Sequence, residues 1–127
     1  MRISYRPTPE GGIMVVRTTR GITRSLKQEI TLLRRHVEIL SVLLETKEPL
    51  GILRLSDRTN YSPHKVRYTL RTLEHEKLIK PSTRGAEVTE ELGIFVEDLI
   101  RDLSIIRDEL NEVYKTVQRV REEYPRQ

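Results

Sequence analysis

The chain has 127 residues, 36% of them hydrophobic and 33% charged, with a formal net charge of +4. That length suits one domain, or a small domain carrying a long appended helix, and a subunit interface would add the apolar burial that one copy lacks. The absence of cysteine excludes a disulfide framework and a thiolate metal site, the longest apolar runs (Ile13 to Val16, and Ile39 to Leu44 with Ser41 inside it) are far too short to span a membrane, and nothing at the front reads as a signal peptide.

The charge is unevenly laid down. Residues 1–47 hold nine basic against four acidic side chains, residues 48–88 eight against five, and residues 89–127 six against ten, giving nets of +5, +3 and −4. A basic front and an acidic tail suit a head that meets a polyanion and a solvated stalk that does not.

Residues 1–22 are expected to be a basic N-terminal arm or hairpin. Arg2, Arg6, Arg17 and Arg20 are spread among prolines and glycines, and the runs Ile3 to Arg6 and Ile13 to Thr18 flank Pro-Thr-Pro-Glu-Gly-Gly; both readings stay open. A first helix is predicted from Thr23, because Leu26, Ile30, Leu33, Val37, Leu40 and Leu44 step by four and three. Thr23 or Ser25 is placed to cap its start, and Pro49 disfavours helix at Glu48. Such a helix is longer than a small domain needs. Its first turns, around Leu26 to Leu33, are expected to project and pack on another helix, that near the C-terminus of its own or another subunit.

A short second helix is predicted over Leu50 to Arg58, a turn over Thr59 to Tyr61, and a third helix opened by Ser62-Pro63 and running to about Glu76. The buried side of the third helix is Val66, Thr69, Leu70 and Leu73. At about 100° per residue the opposite face collects His64, Arg67, Tyr68, Arg71 and His75, with Lys65 at the edge. Arginine can bond two acceptors of guanine, and the other groups can hold phosphate or stack. Leu78-Ile79-Lys80 and Ala86-Glu87-Val88 are short strands joined by Pro81-Ser82-Thr83-Arg84-Gly85, a wing with Arg84 near its tip. Ser62, His64, Lys65, Arg67, Tyr68, Arg71 and Arg84 are therefore the candidate contacts to double-stranded DNA.

Thr89 is placed to cap a last helix, with Glu90 and Glu91 at its positive end. From there Leu92, Val96, Leu99, Leu103, Ile106, Leu110, Val113, Val117, Val120 and Tyr124 keep an unbroken alternation of four- and three-residue steps. A strict 3.5-residue repeat makes a narrow stripe that wants one partner helix, so these ten are the expected homodimer interface of a coiled coil. Its direction stays open. Ile94, Phe95, Ile100 and Ile105 lie outside the stripe and are expected to pack on the body or on the first helix. The predicted division is 1–22 arm or hairpin, 23–91 head and 92–124 coil.

Leu55-Ser56, the run Ser62-Pro63-His64-Lys65-Val66 with Leu70 and Leu73, and Glu76-Lys77-Leu78-Ile79 together resemble winged helix-turn-helix transcription regulators over about residues 31 to 92. The long C-terminal coil is similar to that of a group of small archaeal winged-helix DNA-binding proteins that dimerise through it. Asn60 stands where the family commonly has a turn glycine, and Lys77 where it has a glycine before the wing. The resemblance implies a mainly α fold, a winged helix-turn-helix of three helices plus a small β-wing, with an extended first helix and a long coiled-coil helix.

The expected function is that of a homodimeric DNA-binding transcription regulator, reading the major groove with helix 63–76 and the backbone or minor groove with the wing. The alternatives are an architectural protein that coats or bridges duplexes, and a protein-interaction module. No enzyme is expected: there is no glycine-rich phosphate loop, nucleophile motif or clustered carboxylate pair. His36 lies in a core-facing helix and reads as structural or surface rather than catalytic, and His64 and His75, about 16 Å apart by helical rise, cannot share a metal within one subunit. No cofactor is expected, an effector is left open, and the expected location is cytoplasmic and nucleoid-associated.

Overall fold

The computed structural model describes residues 2–7, 13–18 and 21–126. Strands β1 (Arg2–Pro7) and β2 (Ile13–Thr18) pair antiparallel, from Arg2 opposite Thr18 to Pro7 opposite Ile13, so the front of the chain is the hairpin. The turn between the strands, and the arginine side chains read as a basic arm, lie outside the described residues.

Helix α1 (Arg24–Thr46) follows, with Thr23 at its N-cap position and its carbonyl accepting from Lys27 N–H at 2.9 Å. Lys47 ends the helix in the left-handed region (φ 55°), and Pro49 prevents its resumption. Ile39, Leu40 and Leu43 are buried, whereas Leu26 and Ile30 stand exposed.

The second helix, α2 (Ile52–Thr59), starts two residues later than the sequence pattern suggests and runs one residue further. Leu50 is not helical. Its N–H donates to Ala86 O at 3.3 Å and its carbonyl accepts from Ala86 N–H at 3.0 Å, so it serves as a one-residue third strand of the wing and is buried. Gly51 then takes the N-cap. An eight-residue helix is marginal alone; here fully buried Leu55 anchors it, and Ser56 Oγ donates to Tyr61 O at 2.6 Å, tying down the turn. Asn60 adopts the left-handed conformation (φ 64°) that the turn demands, and asparagine accepts it at less cost than most residues.

Helix α3 (Pro63–His75) packs on α1 and α2 through Val66, Thr69 and Leu73, with Leu70 half-buried. Lys77 turns the chain out of α3 at φ 62°, and Leu78 N–H reaches back to Leu73 O at 3.0 Å. Strands β3 (Ile79–Ser82) and β4 (Gly85–Val88) form the antiparallel wing. Leu78, Ile79 and Ala86 complete the core with Leu92 of the last helix, α4 (Leu92–Glu123).

Thr89 does not cap α4. Its hydroxyl donates to Lys77 O at 2.6 Å and its N–H to Leu78 O at 2.9 Å, which fastens the root of α4 to the end of α3, and Glu91 takes the N-cap position. Of the apolar residues outside the stripe, Phe95 packs on the core, whereas Ile94, Ile100 and Ile105 are exposed in the single chain. Ile100 still lines the groove that α1 and α4 share, Ile94 stands on the exposed side of the first turn of α4, and Ile105 lies further out along the helix. Among the described residues no helix is long and apolar enough to cross a membrane.

Candidate nucleic-acid interface

Ser62 Oγ accepts from Lys65 N–H at 3.3 Å and Pro63 occupies the first turn, so α3 is started by its own sequence. Ser62 Oγ thus accepts in the cap, and its O–H retains the capacity to donate. With Val66, Thr69 and Leu73 facing inward, His64, Lys65, Arg67, Arg71 and His75 are exposed along the outer side, and Tyr68 is 51% exposed at its edge.

The wing tip is built on Ser82, whose hydroxyl donates to Gly85 O at 2.7 Å while accepting from Arg84 N–H at 3.3 Å. Arg84 projects at the two-residue turn, exposed. Gly85 has φ +131°, and a Cβ there would fall 2.5 Å from Leu50 O and 2.7 Å from Gly51 N. Only glycine lets the wing lie this close to the α1–α2 linker.

Among the described residues the ion pairs all lie on α4: Arg101 with Asp98, Arg107 with Asp108 and Lys115 with Glu112. Among the described residues, Lys65, Arg67, Arg71 and Arg84 have no carboxylate within pairing distance. Their charge is left to solvent or to an anion from outside.

One cluster escaped the sequence reading. Arg35 and His36 of α1 both reach buried Thr69: Arg35 Nε donates to Thr69 Oγ1 at 3.2 Å, and His36 Nδ1 lies 2.8 Å from the same oxygen. The His36 ring stacks on Tyr68, with centroids 6.2 Å apart and planes at 22°, and the Arg35 guanidinium carbon sits 5.7 Å from the Tyr68 centroid. Burial first, then the adjacent Arg35 charge, holds His36 below the usual imidazole pKa. A signal was available, since a hydroxyl on the inward face of a helix requires a partner.

The ten-residue stripe divides in two. Leu92 is buried and Val96 and Leu99 are half-buried, but every member from Leu103 to Tyr124 is at least 39% exposed. Where α4 leaves the body, Val37, Leu40 and Leu44 of α1 face Phe95, Val96, Leu99 and Leu103 across an almost wholly apolar groove of about 310 Å³.

Three helices, a helix-turn-helix and a two-stranded wing define a winged-helix protein. Residues 37–94, somewhat under half of the chain, match the family model of the Ribonuclease R winged-helix domain. That match spans the body from the inner half of α1 to the first turn of α4. No curated protein and no solved structure matches the chain. A winged-helix domain fits a DNA-binding role in general.

Proposed function

We propose that this chain is a homodimeric DNA-binding transcription regulator, in which α3 enters the major groove and the wing reaches the flanking backbone or minor groove. The observation that carries the reading is the set of exposed cations without carboxylate partners among the described residues, Lys65, Arg67 and Arg71 on α3 and Arg84 on the wing. A helix of 13 residues, about 20 Å long, presents them along a length suited to a few base pairs. Arg67 and Arg71 lie one helical turn apart and take the base-reading role; Lys65 and Arg84 hold phosphate; Ser62 contributes through the cap that starts the helix. The exposed stripe of α4 supplies the second copy. No catalytic role, cofactor or effector enters this reading.

The test is selection from a randomised duplex library, followed by affinity measurements on the enriched site and on a scrambled duplex. Arg67→Ala and Arg71→Ala should each cost about 1–3 kcal/mol on the enriched site and relax preference at one or two positions. Unchanged base preference in both would remove α3 from the reading role. Because the matched family carries a ribonuclease's name, duplex RNA of the same sequence belongs in the assay as competitor.

A second reading, an architectural protein that bridges two duplexes, is favoured by the way α4 pairs with itself. Antiparallel about Asp108, the stripe closes in five layers: Leu92 with Tyr124, Val96 with Val120, Leu99 with Val117, Leu103 with Val113 and Ile106 with Leu110. This register lays the bare outer half of one α4 along the α1–α4 groove of the other. It also sets residues 109–126, net zero, against residues 90–108, net −4, where a parallel pair would set −4 against −4. The heads then stand at opposite ends of a rod. Retention of duplexes without enrichment, and capture of two labelled duplexes by one dimer, would replace the regulator with this reading.

A further inference from the structure

We propose that Arg35 and His36 are positioning residues of the nucleic-acid face, clamping Thr69 and Tyr68 so that α3 meets the duplex in one rotational setting. The inference rests on the DNA-binding reading and adds to it a part played by α1, whose Arg35 and His36 reach α3 at the edge of its outer face.

The argument begins with Thr69. It is fully buried and faces α1, between Val66 and Leu73, where an aliphatic residue would pack without needing partners. Its hydroxyl instead engages two side chains of α1 at 3.2 and 2.8 Å. Apolar packing permits a helix to roll by several degrees at little cost, whereas hydrogen bonds to two consecutive α1 residues are directional and oppose roll. Tyr68, the next residue on α3, is held by the same pair: His36 covers its face and Arg35 sits at its ring. Four contacts thus converge from two α1 residues on two neighbouring α3 residues. Arg67 and Arg71 flank that pair, one residue before it and two after it, so the clamp acts at the middle of the span that carries the reading side chains.

A clamp and a phosphate contact make opposite predictions in salt. A residue that touches phosphate contributes about 0.9 to the slope of log affinity against log salt, for every sequence alike. A positioning residue changes the difference between right and wrong sequences and leaves the slope alone. The experiment therefore measures affinity for the enriched and scrambled duplexes over a salt series, with wild type, Arg35→Gln, Thr69→Val and Thr69→Ser, each checked for fold by circular dichroism. Thr69→Val keeps the buried shape while removing the shared hydroxyl, so it tests the clamp even where Arg35→Gln fails to fold. Thr69→Ser keeps the hydroxyl.

The expected result is a loss of about tenfold in the ratio of specific to non-specific affinity for Arg35→Gln and Thr69→Val, an unchanged salt slope, and recovery to within about threefold of wild type in Thr69→Ser. A ratio unchanged in the folded variants, with wild type selective, overturns the clamp and leaves the DNA-binding reading standing. A slope lowered by about one in Arg35→Gln makes Arg35 a phosphate contact and overturns its positioning role. Wild type that binds no duplex, or binds all duplexes equally, defeats the selective regulator itself and the clamp with it.

Discussion

Eleven apolar side chains between Ile39 and Leu92 are 8% exposed or less, drawn from α1, the α1–α2 linker, α2, α3, the wing and the root of α4. The seven stripe members from Leu103 to Tyr124, of the same residue types apart from the last, are all 39% exposed or more. The body closes its core within one copy, by folding six elements over each other. Beyond Leu103, which still borders the groove with α1, the outer part of α4 carries its own hydrogen bonds, and its apolar stripe stands exposed among the described residues. The core of the body is thus closed within one chain, whereas in the proposed dimer burial of the stripe would depend on concentration.

The sharpest way to break this contrast is to charge the stripe. In Ile106→Asp/Leu110→Asp, self-association measured by sedimentation should weaken by at least about a thousandfold, roughly 4 kcal/mol, while the body melts unchanged. Wild type that sediments as a monomer at every concentration would show that the stripe serves something other than a second copy. The complementary variant strikes the body: Gly85→Ala places a methyl group against the Leu50 and Gly51 backbone and should cost about 3 kcal/mol or more in thermal or denaturant unfolding. A loss below about 1 kcal/mol would mean that the wing is free to move off the linker.

Two smaller effects sharpen the same division. Lys77 holds a left-handed conformation at the exit of α3, and Lys77→Gly should stabilise the body by about 0.5–1 kcal/mol, the relief of strain exceeding the added chain entropy. Last comes pH. The folded body holds His36 below the pKa it has when unfolded, so the unfolded chain takes up the proton first as pH falls. The contribution is complete above the ordinary imidazole pKa and is lost as pH drops from there towards the lower folded value. Comparing urea midpoints across that window, His36→Gln should flatten this part of the profile and leave the rod's association untouched.

What the sequence made legible followed distance along the chain. Ser62-Pro63, the inward Val66, Thr69 and Leu73, the wing turn and the ten-residue stripe are all local patterns, and the structure forms α3, β3–β4 and α4 within a residue or two of them. Leu50 was misplaced because what decides it is Ala86, 36 residues later; next to Gly51 it looks like the first turn of a helix, yet the wing takes its backbone groups. Thr89 looks like a cap for the same reason, and Lys77 O takes its hydroxyl. The outer face of α3 was readable at Arg67 and Arg71, which are exposed opposite the buried Val66, Thr69 and Leu73. Its edge was not, since Tyr68 is defined by two α1 residues more than 30 positions earlier.

The two hydrogen bonds of Thr89 bear on mechanics. Only three residues separate β4 from α4, and the first is bolted to Lys77 and Leu78. So short a joint, tied by two hydrogen bonds, couples the direction of α4 to the end of α3. In the proposed dimer the spacing and phase between two heads would be set by the number of helical turns in α4, about 48 Å of ruler for its 32 residues, and an insertion there would rotate one head about the other by 100° or so per residue.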